Sequence, residues 1–214
     1  MKLSTKHEIS CIKNILIEKY KNAKTELKYK NAYELLVCVM LSAQCTDKRV
    51  NIITPALFEA YPDTKSLSCA NLESLKILIQ SCSFFNNKAA NLIKMAKSVE
   101  ENFCGKIPLD EEKLVTLAGV GQKTAHVVMI EYKGANLMAV DTHVFRISHR
   151  LGLSSSKTVE KTELDLIKAF NDNLDILHQG MVLFGRYICT AKNPKCTECF
   201  LSEFCKSKDG FKPS

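Results

Sequence analysis

Apolar residues recur three or four positions apart over several long stretches of the chain, whereas few stretches alternate between apolar and polar residues. Spacings of three and four place side chains on one face of an α-helix, and alternation would indicate a β-strand. The pattern therefore predicts an all-α protein. The helical spacing is clearest in four sets, namely Ile9, Ile12 and Leu16; Leu72, Leu75, Leu78 and Ile79; Leu92, Ile93, Ala96 and Val99; and Leu164, Ile167 and Phe170.

Turn-forming segments separate these stretches at residues 61–63, 105–108, 133–136 and 151–152. Each contains glycine or proline, and both residue types interrupt helices. No internal repeat or low-complexity tract accompanies them. Because the chain has 214 residues, of which 46% are hydrophobic, it can bury a core and is long enough for one large or two small domains.

The balance of charge favours an anionic partner. The formal net charge is +7 and the isoelectric point is about 8.8. Nucleic acid is the leading partner class, although a basic protein of the ribosome or of a membrane surface would share this property. The longest apolar run, residues 35–41, is too short to span a bilayer, and the first residues lack a signal-like apolar segment. We therefore expect the protein to stay inside the cell.

Residues 117–125 read Leu-Ala-Gly-Val-Gly-Gln-Lys-Thr-Ala and lead into an apolar stretch that ends at Ile130. Gly119 and Gly121 allow positive φ angles and a close approach of another molecule. A helix is expected to begin directly after them. The first N–H groups of such a helix have no partner within it, so this segment predicts a phosphate-binding site.

Lys123 lies in the first turn of this predicted helix, where a cation opposes the helix dipole by roughly 0.3–1 kcal/mol. Two explanations would account for a lysine at this unfavourable position. The ammonium contacts a phosphate, or the amine is a nucleophile whose neutral form the helix end favours. A carboxylate follows downstream at Asp141, and its place before a helical apolar pattern is typical of an N-cap.

Four of the ten cysteines form a C-x6-C-x2-C-x5-C pattern near the C-terminus. Such close spacing brings four thiolates onto one metal ion or cluster with little loop-closure entropy. Either zinc or an iron-sulfur cluster would suit four thiolates, although a zinc ribbon usually has two C-x2-C pairs. The four are Cys189, Cys196, Cys199 and Cys205, and the six other cysteines are scattered singly and are predicted to be small core residues.

The glycine hairpin, Lys123, residues 140–143 and the cysteine pattern together resemble the endonuclease III family of iron-sulfur helix-hairpin-helix DNA glycosylases. Residues 41–47 and 85–89 extend the resemblance over nearly the whole chain. It implies excision of oxidised pyrimidines followed by cleavage of the abasic site, and a 4Fe-4S cluster on the four cysteines. It also implies a helical barrel over residues 25–135, with its hairpin at about 111–130, and a cluster domain made of residues 1–24 and 136–214. The DNA would lie in a cleft between these two domains.

The resemblance also implies roles for individual residues. Lys123 corresponds to the nucleophile that forms a Schiff base with the deoxyribose, and Asp141 to a carboxylate that assists it and stabilises positive charge at C1′. Gln44 would fill the gap left by an extruded nucleotide. Further DNA contacts are expected from Phe84, Lys88, Gly119, Gly121, Thr124, His143 and, in the loop between Cys189 and Cys196, from Lys192 and Lys195.

Two positions depart from the family pattern. Ala118 stands where the hairpin usually has proline, which should make the turn slightly less preorganised. Phe84 stands where a leucine usually enters the DNA, so its part in wedging or stacking is a hypothesis. His126, His149 and His178 show no metal-ligand spacing and are expected to be surface or core residues.

Three alternatives share part of this pattern. An adenine mismatch glycosylase of the same superfamily has the cysteines but lacks the lysine and carries a further C-terminal domain, whereas this chain has Lys123 and continues only a short way past Cys205. A non-catalytic DNA-binding module would need neither Asp141 nor the cluster, and a redox carrier would not need the hairpin. The expected partner is double-stranded DNA with an oxidised base or an abasic site. The protein is expected to act as a monomer in a bacterial cytoplasm, associated with the nucleoid through DNA.

Overall fold

The computed structural model describes residues 2–207, and every regular element in that range is a helix. This confirms the all-α prediction. Residues 1 and 208–214 of the predicted cluster domain lie outside the described part. The α-helices are α1 Lys6–Tyr20, α2 Ala32–Ser42, α3 Asp47–Ala60, α4 Thr64–Ser68, α5 Leu72–Ile79, α6 Phe85–Phe103, α7 Glu111–Leu114, α8 Gln122–Lys133, α9 Thr142–Arg150, α10 Val159–Phe170 and α11 Leu174–Tyr187; two 3-10 helices, Cys196–Glu198 and Ser202–Phe204, follow.

The four apolar sets lie within helices, as their spacing predicts. The four turn segments lie at helix ends. A helical spacing does not guarantee burial, however, because Leu164 in α10 is 66% exposed. The scattered cysteines also differ in burial. Cys38 and Cys82 are core residues as predicted, but the prediction is wrong for Cys69 and Cys104, which are exposed.

One compact unit spans Thr25–Gly134 and contains α2 to α8. Its central element is α2, in which nine of eleven residues are buried. A helix that is apolar on all sides must lie inside a core, which explains the uninterrupted apolar run at residues 35–41. The adjoining helices α3, α5, α6 and α8 each turn one apolar face toward this core.

The second compact unit takes in the described residues before Thr25 and after Gly134. Its core is formed by α1, α9, α10 and α11, with Ile12, Leu16, Phe170 and Phe184 almost fully buried. Thr5 starts α1 with a capping box in which its side chain and that of Glu8 bond to each other's backbone N–H groups. Within the described chain, no helix combines the length and apolar content needed to cross a membrane.

Candidate functional site

The glycine segment is a turn between α7 and α8, as the sequence predicts. Gly119 has φ +77°, in the left-handed region, and a Cβ there would lie 2.9 Å from the Cβ of Asn91 on α6. Both its backbone conformation and the close packing of Asn91 therefore require glycine. Ala118, which replaces the family's proline, lies within this turn.

Gly121 has a different role from Gly119. It has φ −89° and ψ 174°, so it does not use the positive φ that glycine allows. Gly121 is the N-cap of α8, and nothing lies within 4 Å of the position a Cβ would take. Because this N-cap has no side chain, the first N–H groups of α8 receive no side-chain cap.

Lys123 is the second residue of α8, and its side chain is exposed. Thr124 follows it and is partly exposed. Burial then begins at Ala125, which is fully inside the core of the unit. The start of α8 therefore presents an amine, a hydroxyl and N–H groups that lack a side-chain cap, while the rest of the helix anchors them.

A polar network that the sequence does not indicate joins the two helices of the hairpin. The Nε2 atom of His126, a residue only 5% exposed, lies 2.9 Å from Oε1 of Glu111. The side-chain amide of Gln122 bonds to the same carboxylate oxygen. Glu111 and His126 are far apart in the sequence without any recognisable spacing, so only the turn brings them together.

Asp141 is the N-cap of α9, which confirms the capping prediction. Its Oδ1 atom accepts hydrogen bonds from the N–H groups of His143 and Val144, both at 2.8 Å. Both cap bonds use one oxygen, and Asp141 is partly exposed. The cap thus fixes the rotamer of the carboxylate while leaving Oδ2 out of these two bonds.

Arg146 and Gly185 hold α9 in place. Arg146 donates from Nη2 to the carbonyl oxygen of Gly185 at 2.7 Å and to Nδ1 of His143 at 3.2 Å. Gly185 allows α11 to approach α9, since a Cβ there would lie 2.8 Å from the Cβ of His143. Because a guanidinium only donates, Nδ1 of His143 acts as the acceptor in this bond.

Gln44 and Phe84 share an uncommon backbone conformation. Gln44 follows the end of α2 with φ +53°, and Phe84 is the N-cap of α6 with φ +57°. Few residues other than glycine adopt positive φ, and a bulky aromatic residue does so rarely. Both side chains are exposed, Phe84 to 62%. Two side chains of the size needed to enter a base stack therefore project from the unit that contains the hairpin.

Lys88 does not fit the prediction of a direct DNA contact. It is 9% exposed, and its Nζ atom donates to the carbonyl oxygens of Leu41 and Ala43, both at 2.7 Å. The ammonium is thus occupied inside the protein, at the end of α2. The resemblance implied a DNA contact for Lys88, but the sequence could not show that the charge points inward.

The four clustered cysteines line one cavity together with Arg150, Ile188, Pro194, Lys195 and Ser202. Burial raises the pKa of Cys199 and Cys205, and the neighbouring cysteine thiolates raise it further. Convergence of four soft sulfur donors in one cavity fits an iron-sulfur cluster. Arg150 adds a donor, because its Nη1 atom lies 3.2 Å from Sγ of Cys189.

The loop between Cys189 and Cys196 is fixed through its backbone. Arg150 donates to the carbonyl oxygens of Thr190 at 2.7 Å and Ala191 at 3.0 Å. The N–H group of Lys195 donates to the carbonyl oxygen of Ile188 at 2.9 Å. Because the backbone faces inward, the side chains of Lys192 and Lys195 are left exposed.

An all-helical fold with a glycine hairpin, a capped aspartate and a four-cysteine cavity defines a class of DNA repair proteins. Residues 37–172 match the HhH-GPD superfamily of base excision DNA repair proteins, and residues 189–205 match the iron-sulfur binding domain of endonuclease III. The chain is 44% identical to endonuclease III of Rickettsia felis over 184 residues, which cover 86% of each chain.

Solved structures agree with the sequence comparison. A non-covalent complex of endonuclease III with DNA matches with a TM-score of 0.91 at 37% identity, covering 97% of this chain and 98% of the other. A trapped covalent endonuclease III–DNA intermediate matches equally well, with a TM-score of 0.91, 37% identity and coverage of 97% and 99%. The chain belongs to the endonuclease III family. It is a DNA-binding glycosylase and abasic-site lyase that carries a 4Fe-4S cluster.

Proposed function

We propose that this enzyme excises oxidised pyrimidines from double-stranded DNA and cleaves the strand 3′ to the resulting abasic site, with Lys123 as the nucleophile and Asp141 as the supporting carboxylate. The observation that carries the proposal is an exposed lysine in the first turn of α8, directly after a glycine N-cap. An endonuclease III of very similar fold has been trapped as a covalent intermediate on DNA. A covalent intermediate requires a nucleophile of this kind.

Lys123 would act through its neutral amine. The nitrogen attacks C1′ of the deoxyribose as the bond to the damaged base breaks, and the sugar ring then opens to a Schiff base. The iminium makes the 2′ proton acidic, so loss of that proton expels the 3′ phosphate by β-elimination. Hydrolysis of the imine finally returns the free amine. The exposure of Lys123 suits these reaction steps, because the amine must reach a sugar on another molecule.

Asp141 would act through the carboxylate oxygen that the two cap bonds do not use. A negative charge stabilises the positive charge that develops at C1′ when the base leaves. The same carboxylate can accept a proton from the Lys123 ammonium and so supply the neutral amine. The two bonds to Oδ1 support this role by restricting the rotamer before substrate binds.

Other predicted residues would bind the duplex, with Lys88 excepted. Gln44 fills the gap left by the extruded nucleotide and its amide bonds to the orphan base, while Phe84 enters or stacks against the opposite strand. Phosphates bind at the free N–H groups near Gly121 and Thr124. His143, Lys192 and Lys195 add contacts to the DNA backbone, where cations supply affinity rather than sequence preference.

The 4Fe-4S cluster contributes a fixed crosslink among the four cysteines when it is bound. We assign it a structural role, in which the crosslink would shape the loop between Cys189 and Cys196. This loop carries Lys192 and Lys195 at exposed positions. We further propose that the enzyme acts as a monomer in the bacterial cytoplasm, bound to the nucleoid. Its similarity to the Rickettsia felis protein supports a bacterial setting.

Borohydride trapping tests the lyase step directly. Incubation of the cluster-loaded protein with a thymine-glycol duplex and borohydride should yield a covalent protein–DNA adduct, because borohydride reduces the Schiff base. Lys123→Gln should abolish the adduct while retaining most of the DNA affinity. Lys133→Gln is the matched control, since Lys133 is an exposed lysine at the opposite end of the same helix. Normal trapping by Lys123→Gln would place the nucleophile elsewhere.

The same assay separates the alternatives. An adenine mismatch glycosylase would release adenine from a mismatch and leave thymine glycol intact. A non-catalytic binding module would retain duplex affinity without excision or an adduct. Excision of thymine glycol together with trapping is the result that the proposed function requires.

A further inference from the structure

Lys88 connects the two segments that carry Gln44 and Phe84. Its Nζ atom donates to the carbonyl oxygens of Leu41 and Ala43, both at 2.7 Å, at the end of α2. Its backbone N–H group donates to the carbonyl oxygen of Phe84 at 3.1 Å, at the start of α6. One residue therefore bonds to the chain immediately before Gln44 and to Phe84 itself.

The bond to Ala43 bears directly on the conformation of Gln44. The peptide group that joins Ala43 to Gln44 lies between ψ of Ala43, which is 113°, and φ of Gln44, which is +53°. Rotation about either bond would turn the Ala43 carbonyl oxygen away from Nζ of Lys88. A left-handed residue other than glycine persists only when its surroundings enforce it. The ammonium of Lys88 is such a constraint on Gln44.

The charge of Lys88 makes this constraint strong. The carbonyl oxygens at the end of α2 have no partners within the helix and carry its partial negative charge, so they attract a cation. Burial lowers the pKa of Lys88, while the nearby Cys82 and Cys45 oppose that shift. With the side chain 9% exposed, little water can compete for its hydrogen bonds.

The thiols next to Lys88 show that the two segments also touch. Cys45 directly follows Gln44 and Cys82 precedes Phe84 by two residues. The Sγ atom of Cys45 lies 3.4 Å from that of Cys82. A movement of the segment that carries Gln44 would therefore displace the segment that carries Phe84. Lys88 lies where the two segments meet.

We propose that Lys88 is a positioning residue, whose buried ammonium holds Gln44 in the conformation that enters the duplex, and that Lys88 makes no DNA contact. This inference rests on the insertion of Gln44 described under the proposed function. Holding the Gln44 segment before DNA arrives avoids the entropy loss of ordering it on binding. Removal of the ammonium should therefore weaken binding to damaged duplex and leave the chemistry of Lys123 intact.

The test measures the affinity of Lys88→Met for a duplex that contains a tetrahydrofuran abasic analogue, over a series of salt concentrations. We expect an affinity on the order of tenfold weaker, as loss of preorganisation produces. The slope of log K against log[salt] should not change. A direct phosphate contact would instead lower the slope by about one. Lys94→Met is the matched control, because Lys94 is an exposed lysine on the same helix.

A double-mutant cycle shows whether Lys88 acts through Gln44. Gln44→Ala alone should weaken binding, and Lys88→Met should add little in the Gln44→Ala background, because the side chain being positioned is gone. Fully additive effects would overturn the positioning role while leaving the insertion of Gln44 intact. No effect of Gln44→Ala or Phe84→Ala on binding would overturn the insertion itself, and the role of Lys88 with it.

A spectroscopic measurement keeps the test decisive if Lys88→Met is unstable. With 2-aminopurine placed opposite the analogue, insertion of Gln44 into the stack changes the fluorescence of the orphan base. Lys88→Gln keeps an N–H donor without the charge. At saturating protein it should show a smaller fluorescence change than the wild type. A full change in a folded variant would overturn the proposal.

Discussion

The carboxylate of Asp141 accepts the N–H group of Val144 at 2.8 Å through Oδ1, the same oxygen that accepts the N–H group of His143. Asp141, which is proposed to take part in catalysis, is thus also the N-cap of α9. Helix caps contribute stability whether or not the carboxylate is charged, since asparagine caps about as well as aspartate. The two roles of Asp141 can therefore be separated by substitution.

Asp141→Asn should keep the fold and lose activity. The amide oxygen can still accept both cap bonds, so the free energy of unfolding should change by less than about 0.5 kcal/mol. Loss of the negative charge should slow base excision by roughly 10²–10⁴-fold. Thermal unfolding and single-turnover excision of thymine glycol measure the two effects. Asp141→Ala should add a loss of about 1 kcal/mol in stability. An active Asp141→Asn protein would exclude a catalytic charge at this position.

Alanine substitutions at the two hairpin glycines should differ in their cost to stability. Gly119→Ala should destabilise the protein by about 1–3 kcal/mol, because alanine at φ +77° is strained and its Cβ would meet Asn91 at 2.9 Å. Gly121→Ala should cost less than about 1 kcal/mol, since its φ is ordinary and its surroundings are open.

DNA binding supplies the second measurement on these glycines. Gly121→Ala should weaken binding to an abasic-site duplex on the order of tenfold, because the added methyl group obstructs close approach of a phosphate to the start of α8. Titration of a labelled duplex gives the affinity, and thermal unfolding gives the stability. A Gly121→Ala protein with wild-type affinity would show that DNA does not approach this helix end.

The network between Glu111 and His126 should stabilise the hairpin. Glu111→Ala removes the acceptor that lies 2.9 Å from the buried His126 and should lower the free energy of unfolding by about 1–3 kcal/mol. Glu112→Ala changes the neighbouring exposed residue of α7 and should alter it by less than about 1 kcal/mol. Denaturant unfolding of both variants measures the difference, and equal effects would contradict a specific role for Glu111.

Removal of one cluster ligand should disturb the C-terminal loop selectively. Cys199→Ala should lower the bound iron and the visible absorption of the cluster and reduce the melting temperature, because the crosslink among the four cysteines is lost. Cys104→Ala, at an exposed cysteine outside the cavity, should leave all three unchanged. Retention of full iron content by Cys199→Ala would contradict the assigned ligand set.

The pH dependence of thiol modification should follow burial. Desolvation raises the pKa of Cys38 from 9.0 to about 12, because the thiolate is unfavourable inside the core. The folded protein therefore holds the neutral thiol. Its contribution to stability is complete below about pH 9 and is lost as the pH rises toward 12. At pH 8, iodoacetamide should label the exposed Cys69 and Cys104 first, and mass spectrometry of the native protein should find Cys38 unmodified.

Local features of the fold followed from the sequence because their causes are local. Periodic apolar residues predicted the helices, and glycine and proline predicted their ends. The same holds for the cap at Asp141, which depends only on the three residues that follow it. The spacing of Cys189, Cys196, Cys199 and Cys205 predicted a common metal site for a similar reason, since a short chain closes with little loss of entropy.

The sequence by itself determined the helical class, the glycine turn, the capped carboxylate and the four clustered thiols, all of which depend on neighbours along the chain. Only the tertiary structure decided which way each side chain points. Lys88 lies in a motif that predicts a DNA contact, but its Nζ atom donates to the carbonyl oxygens of Leu41 and Ala43. Glu111 contacts His126 only because the glycine turn brings α7 and α8 together. Burial and pairing between distant residues depend on packing free energy, which a local pattern does not contain.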